Sequence, residues 1–355
     1  MMREVDVVNL QEGMTLEYDV LGNNDIVLLT RGTVLNNHMI EKLIISNIYY
    51  VAIKDINNQQ DILLNESNTN KPTLSDHKLI QGYTTCVEKY INIFNEVALG
   101  KKLQVEGIGE SVGELIHETL KYNNVLGRLR EIETSDDYTY KHSINVCVLS
   151  TMIGKWMGYK GKKLRALSMA ALLHDIGKAK IPSDILNKKG KLTLEEFDIA
   201  KKHAVIGYKI LEENNNISTD ICLGVLQHHE RMDGSGYSMG VKGDKIHEYG
   251  RIIAVADIYD AMTSTRVYKE KESPFIVAEL IADNSFKELD PRVSNCFLYH
   301  ISKYYVGTIV KLNSGEVGEI MFVNKEVPTK PLVKVQDRFI DLMREKNYQI
   351  IEVIS

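Results

Sequence analysis

Residues 164–182 read LRALSMAALLHDIGKAKIP, an apolar stretch that runs directly into a histidine and an aspartate. The apolar side chains predict a buried helix that ends at His174 and Asp175. A carboxylate that emerges from such a helix is costly unless a metal ion or a lysine pairs with it. Lys178, three residues later, could direct a positive charge at a phosphate beside this carboxylate. The stretch therefore predicts a helical fold with charged groups in its interior.

Further histidines and an aspartate lie on the apolar faces of other predicted helical segments. They are His142, His203, His228, His229 and Asp257. A single buried histidine is more often a packed core residue than a ligand. Two adjacent imidazoles near an interior are harder to explain as packing, because each ring nitrogen needs a partner. The 10 histidines of the chain would rarely place this many on buried faces by chance, so the pattern favours a metal cluster over packing.

The residues of this predicted cluster are imidazoles and carboxylates, without cysteine. The full set is His142, His174, Asp175, His203, His228, His229 and Asp257. Such ligands suit iron or manganese better than a structural zinc ion. The set is too large for one ion, so we expect two divalent ions bridged by Asp175 and by a water that reacts as hydroxide. With Lys178 beside it, the site predicts hydrolysis of a phosphoester.

Composition limits the other functions that the chain can have. The 355 residues carry a net charge of -5, which gives no basic field for a nucleic acid polymer. No apolar run is long enough to cross a membrane, and the N-terminus is unlike a signal peptide. The 4 cysteines form no CxxC pair, which fits reduced thiols in a cytoplasmic protein.

Hydrophobic periodicity predicts a mainly α protein flanked by small β-rich units. We expect a β-rich N-terminal domain at 1–60, a polar linker and amphipathic helix at 61–108, a helical catalytic domain at 109–303 and a C-terminal β extension at 304–355. Within the first domain, residues 14–21 and 25–35 predict a hairpin and 38–47 a short helix.

Three helices are predicted in more detail. The stripe over 76–99 predicts an amphipathic helix that packs on the chain or mediates a homodimer, with Val87 and Phe94 in the contact. A second helix follows over 106–121. A capping box at Thr193 and Glu196 predicts the start of a third helix. Its apolar stripe would contain Phe197, Ala200, His203, Ala204, Gly207 and Leu211.

In their order and spacing, several motifs resemble the HD-GYP phosphodiesterases, a branch of the HD metal-dependent phosphohydrolases. They are HSINV at 142–146, LLHDIGKAKIP at 172–182, KGKLTLEEF at 189–197 with His203, HHERMDGSGY at 228–237 and DIYDAMTSTRVYK at 257–269. The resemblance covers roughly 110–303 and implies an HD-type all-helical bundle. It also implies bacterial second-messenger signalling, with cyclic di-GMP hydrolysed to pGpG and further cleavage to GMP left open.

The resemblance also implies roles for individual residues. The same seven metal ligands would be used, Asp175 and Lys178 would act in catalysis, and Lys178 would contact the scissile phosphate. Tyr237, Arg266 and Lys269 would contact the substrate. Some relatives bind a third metal through a glutamate four residues before the first histidine, where this chain has Tyr138, so we expect two metals.

Two alternative functions stay open, and a second departure from the family bears on the first of them. Ser238 stands where the family name expects proline, and it adds backbone freedom and an amide donor to the loop. One alternative is a degenerate domain that binds a cyclic dinucleotide without cleaving it. The other is a hydrolase acting on a hybrid cyclic dinucleotide or a mononucleotide.

Overall fold

The structure is a computed structural model. It describes residues 2–7, 10, 13–21, 27–36, 39–40, 43, 48, 50–54, 74–121, 138–188, 190–214, 216–264, 272–285 and 287–354. The chain divides into two compact units, Met1–Lys71 and Pro72–Ser355. The finer division into four parts stays a prediction.

The first unit contains two antiparallel strand pairs. Strand β1 (Met2–Asp6) pairs with β4 (Tyr50–Lys54), and β2 (Val20–Leu21) pairs with β3 (Val27–Leu29). The predicted hairpin is therefore present, although its turn lies outside the described residues. Most of the predicted helix at 38–47 also lies outside the described residues. Buried apolar side chains fill this unit, among them Val7, Leu16, Leu35 and Leu43.

Helices make up most of the second unit. They are α1 (Leu74–Ala98), α2 (Glu106–Lys121), α3 (Tyr138–Trp156), α4 (Gly161–Leu173), α5 (Ser183–Leu186), α6 (Leu194–Lys201), α7 (His203–Glu212), α8 (Thr219–Gln227), α9 (Glu248–Thr263), α10 (Pro274–Asn284) and α11 (Pro291–Lys303). Short 3₁₀ turns occupy Ile176–Lys180 and Gly243–Lys245. No described helix is long and apolar enough to cross a membrane.

The apolar stripe of α1 is buried against the helical bundle of its own chain. The Tyr83 hydroxyl donates a hydrogen bond to Asn145 Oδ1 of α3 at 2.9 Å. Val87 and Phe94 are only partly buried and pack at the edge of the same core. Packing within the chain therefore accounts for most of the stripe, and the homodimer through these helices stays a prediction.

The third predicted helix is wrong in one respect, because two helices occupy its place. The capping box at Thr193 and Glu196 is present, but α6 ends at Lys201 and α7 begins at His203. No residue of α6 is buried, and Phe197 is 48% exposed. The buried face starts only on α7, so Phe197 does not continue the stripe of His203.

A five-stranded antiparallel sheet closes the second unit. Its strands are β5 (Ile309–Leu312), β6 (Val317–Phe322), β7 (Leu332–Val335), β8 (Arg338–Asp341) and β9 (Ile350–Val353), in the order β8-β7-β6-β5-β9. Alternate side chains of the sheet, including Val310, Ile320 and Val333, belong to the same core as the helices. The predicted fold class, a helical bundle flanked by small β units, is confirmed.

Candidate metal centre

The turn after α4 carries His174 and Asp175 into the interior. The next residues form the 3₁₀ turn Ile176–Lys180, which lies against the start of α7. A Cβ atom at Gly177 would lie 2.0 Å from the carbonyl oxygen of His203, so no side chain fits there. This close approach of two backbones brings the Asp175 carboxylate to His203, with 3.3 Å between Oδ1 and Nε2.

Three histidines are oriented by the same local contact. The Nδ1 atoms of His174, His203 and His228 lie 2.8, 2.7 and 2.7 Å from the backbone carbonyl oxygen three residues earlier. A carbonyl oxygen can only accept, so each Nδ1 carries the proton. In the neutral ring, Nε2 is then left with a free lone pair, which is the form of imidazole that binds a metal.

All seven residues predicted as ligands lie together in two groups. Within each group the potential ligand atoms lie within 4.8 Å of one another. The groups are Asp175, His203, His228 and His229, and His142, His174 and Asp257.

Asp175 lies between these two groups. Its Oδ1 faces His203, while its Oδ2 lies 3.3 Å from His174 Nε2. One carboxylate can therefore serve both groups, which is the geometry that a bridging ligand requires.

The atoms at the centre fit a divalent cation. His174 Nε2 and Asp175 Oδ1 are buried without a hydrogen-bond partner, an arrangement that is costly in a protein interior. His203 Nε2 faces His228 Nε2 at 3.4 Å. With both protons on Nδ1, two lone pairs meet there. A positive ion among these atoms would pair with these buried lone pairs.

Burial keeps the histidines of the first group neutral. It lowers the pKa of His203 and, together with the adjacent His229, holds the pKa of His228 well below its usual range. Burial also lowers the pKa of His229 to about 3. These rings are therefore unprotonated at neutral pH, as metal ligation requires.

The two carboxylates of the centre stay ionised. Burial raises the pKa of Asp175, but the neighbouring His174 and the positive charge of Lys178 outweigh it and hold the pKa well below its usual range. Burial also raises the pKa of Asp257. The hydrogen bond that this carboxylate accepts from His142 outweighs burial and holds the pKa well below its usual range. Two anionic groups thus lie beside the neutral imidazoles of the first group, a combination that suits a cation.

His142 lies between two carboxylates. Its Nε2 is 3.1 Å from Asp257 Oδ1 and its Nδ1 is 2.7 Å from Asp260 Oδ2. Burial lowers the pKa of His142, but the hydrogen bonds with Asp257 and Asp260 outweigh it and raise the pKa to about 9. The buried Asp260 also accepts a hydrogen bond from the Ser264 hydroxyl at 3.0 Å, so it can hold the ring with Nε2 toward the centre.

Asp260 and Glu230 are not among the residues predicted from the sequence. Asp260 follows Asp257 by three positions and shares its helix face, which was the available signal. Glu230 follows the histidine pair directly and is buried. Its Oε1 accepts hydrogen bonds from the backbone N–H groups of Met239 at 2.6 Å and Gly240 at 3.1 Å. Glu230 therefore fastens the glycine-rich loop beside the centre.

The same loop places Tyr237 against the first group. A Cβ atom at Gly236 would lie 2.5 Å from the carbonyl oxygen of His229, so glycine is required for the loop to fold back on the helix end. The rings of Tyr237 and His229 are stacked, with 4.5 Å between centroids and 28° between planes. Asp233 Oδ1 accepts hydrogen bonds from the amide and hydroxyl of Ser235, at 2.9 and 2.6 Å, and so stabilises the turn of the loop.

Ser238 has a backbone that proline cannot adopt. Its φ is 110°, whereas the proline ring fixes φ near about −65°. Serine tolerates this value only with strain. The loop therefore has a different local conformation from one with proline at this position.

The structure describes only some of the remaining predicted residues. Lys178 Nζ donates a hydrogen bond to Asp175 Oδ2 at 2.5 Å and is 29% exposed, so it lies at the edge of the centre. Arg266 and Lys269 lie outside the described residues, and so does the side chain of Tyr138. Ligation and substrate contact by the predicted residues stay predictions.

Comparison with known proteins matches residues 128–293 to the family described as HD domain. Residues 128–293 are thus similar to an HD domain. An HD domain implies divalent metal binding, and the two ligand groups have the donor atoms for it. The resemblance to HD-GYP phosphodiesterases is confirmed by this match and by similar proteins of known name.

Two of these relatives are cyclic di-GMP phosphodiesterases. The protein from Pseudomonas aeruginosa is 34% identical over 248 residues, which cover 69% of this chain and 59% of that protein. PdeB from Borreliella burgdorferi is 36% identical over 200 residues, covering 56% of this chain and 52% of PdeB. The chain thus spans between about half and three fifths of the length of these relatives.

A solved structure has the same fold as this chain. It is an HD-GYP protein from Bdellovibrio bacteriovorus, which aligns with a TM-score of 0.53 at 16% sequence identity. The alignment covers 84% of this chain and 98% of that one. At this identity the match supports the fold alone.

Proposed function

We propose that the chain is a metal-dependent phosphodiesterase that hydrolyses cyclic di-GMP to pGpG. The observation that carries the proposal is Asp175. One of its oxygens faces each of the two ligand groups, and the Nε2 atom of His174 beside it is buried without a hydrogen-bond partner. Two relatives at 34% and 36% identity, both named cyclic di-GMP phosphodiesterases, support the choice of substrate.

The proposed cofactor is a pair of divalent transition metal ions, iron or manganese. One ion would be held by Asp175, His203, His228 and His229, and the other by His142, His174, Asp257 and the second oxygen of Asp175. Nitrogen and oxygen donors suit these metals, and the ligand groups found among the described residues contain no cysteine. When bound, such ions polarise a phosphate oxygen and activate the water that attacks phosphorus.

The protein's own groups would bind and orient the substrate. Lys178 Nζ lies beside Asp175 at the edge of the centre, where an ammonium group can hold a phosphate oxygen as a point charge. Tyr237 lies over His229 and closes one side of the centre, which helps to exclude bulk water. Arg266 and Lys269 complete the proposed phosphate contacts. A cytoplasmic location is supported by the free cysteines, three of them buried.

One sample tests both the metal and the reaction. We expect protein loaded anaerobically with Mn(II) or Fe(II) to convert cyclic di-GMP to pGpG, with metal content measured on the same sample. The double variant His174→Ala, Asp175→Ala should lose metal and turnover together. His117→Ala is the control, because this exposed histidine belongs to neither ligand group.

Other results of this experiment would identify the alternatives. Tight binding of cyclic di-GMP without cleavage by the loaded protein would contradict the proposal and identify a binding module. Turnover of a hybrid cyclic dinucleotide or a mononucleotide, with cyclic di-GMP left intact, would assign a different hydrolase activity.

A further inference from the structure

An aromatic row extends from the metal centre to the surface. We define it as His229, Tyr237 and Phe197. His229 and Tyr237 are stacked at 4.5 Å, and the Phe197 ring meets Tyr237 edge to face at 6.5 Å between centroids. The row begins at a predicted metal ligand and ends at a phenylalanine that is 48% exposed.

Exposure alone does not distinguish Phe197, because Leu194 on the same helix is 82% exposed. Single exposed apolar residues are common on protein surfaces. Phe197 differs in its neighbours, since its ring contacts Tyr237 and has the ammonium group of Lys201 5.0 Å from its centroid. The ring is therefore held in place beside the centre while nearly half of the residue stays open to a ligand.

The charges around the row suit a ligand that combines planar rings with phosphates. Lys178 lies at the inner end, beside Asp175. Lys201 lies at the outer end, where it pairs with the exposed Asp198 at 2.6 Å. A nucleotide has both kinds of group. Its planar base can stack on the exposed ring, and its phosphate can pair with the lysine ammonium groups.

We infer that Phe197 forms a base subsite, in which its ring stacks against one purine of the cyclic dinucleotide whose phosphate lies at the metal centre. This inference rests on the proposed function and adds to it a residue that neither chelates metal nor contacts the reacting phosphate. Phe197 binds the base and so contributes to affinity and to the choice of substrate.

Steady-state kinetics of the loaded protein on cyclic di-GMP test the subsite. Because base stacking on one aromatic ring is substantial, Phe197→Ala should raise KM about 5-fold to 100-fold and change kcat by less than about 2-fold. Phe197→Trp should restore KM to within about 3-fold of the wild type, since the larger ring also stacks. Metal content should be unchanged in both variants.

The matched control is Leu194→Ala, which removes a more exposed apolar side chain from the same helix. KM should then equal that of the wild type. Since α6 has no buried residue, neither alanine variant is expected to unfold the chain, and a thermal melt checks this directly.

The possible failures are distinguishable. Normal wild-type turnover with an unchanged KM in Phe197→Ala would overturn the subsite and leave the proposed function intact. A loss of kcat and metal in Phe197→Ala would also overturn it, because Phe197 would then support the centre itself. A wild type that is loaded with metal but inactive on cyclic di-GMP would overturn the proposed function and the subsite with it.

Discussion

At the scale of single residues, the site depends on which ring nitrogen carries the proton. In His174, His203 and His228 the backbone carbonyl oxygen three residues earlier fixes the proton on Nδ1. In His142 the carboxylate of Asp260 lies 2.7 Å from Nδ1. The Nδ1 side of the ring is thus held by backbone in three histidines and by a carboxylate in the fourth.

This difference predicts a specific effect of Asp260→Ala. Without the carboxylate, the His142 ring loses the group that fixes its orientation, so we expect metal affinity to fall about 10-fold to 100-fold. The measurement is metal retained after dialysis against graded concentrations of a chelator. Ser264→Ala is the control, since it removes a hydrogen bond to Asp260 but leaves the carboxylate on His142. Equal metal retention by Asp260→Ala and the wild type would contradict this role.

At the scale of elements, the centre depends on two backbones that touch. The 3₁₀ turn after α4 approaches the start of α7 at Gly177, where the backbone of α7 leaves no room for a side chain. The contact determines where Asp175 and His203 meet. Predicted metal ligands from different segments are thus aligned by a glycine that has no side chain of its own in the site.

Gly177→Ala is therefore expected to damage both stability and metal binding. The added methyl group would lie 2.0 Å from the His203 carbonyl oxygen, so the two segments must separate at a cost of about 1–3 kcal/mol or more. Thermal melts and metal content measure the two effects.

Gly107→Ala is the control for this substitution. Its Cβ atom would meet nothing within 4 Å and lies within α2, where alanine is favoured over glycine by about 0.5–1 kcal/mol. If Gly177→Ala melted at the same temperature as Gly107→Ala and kept its metal, the close contact would not be needed.

Comparison of the same elements shows what the sequence could and could not predict. The bounds of α2, the capping box of α6 and the inward direction of seven ligand residues follow from local pattern, because periodicity and capping are local properties. The break at Lys202 does not, since α6 and α7 read as one helix whose apolar stripe includes Phe197. Asp260 and Glu230 were missed because their partners, His142 and the loop amides, are brought to them only by the tertiary fold.

At the scale of the whole molecule, the first β-rich part has a hydrophobic core of its own, whereas the C-terminal β-rich part does not. The strands of the first unit pack around apolar side chains of that unit, including Leu16 and Leu43. The C-terminal sheet instead shares its core with the helices. Its loops also bind the bundle, because Lys330 forms an ion pair with Glu279 of α10 and Gln349 donates to the same carboxylate at 3.0 Å.

Deletion of the first unit and deletion of the C-terminal sheet should therefore have different effects on metal content and on stability. We expect a chain of residues 72–355 to keep metal content and a cooperative melt close to that of the full chain, because its core is complete. A chain that ends at Lys303 should lose both, since it lacks the sheet side of the core and Tyr305. The Tyr305 hydroxyl lies 2.9 Å from that of Tyr259 on α9, the helix that also carries Asp257. Circular dichroism melts with metal analysis measure both chains, and a shortened chain ending at Lys303 that melts like the full chain would show that the sheet is dispensable for the metal centre.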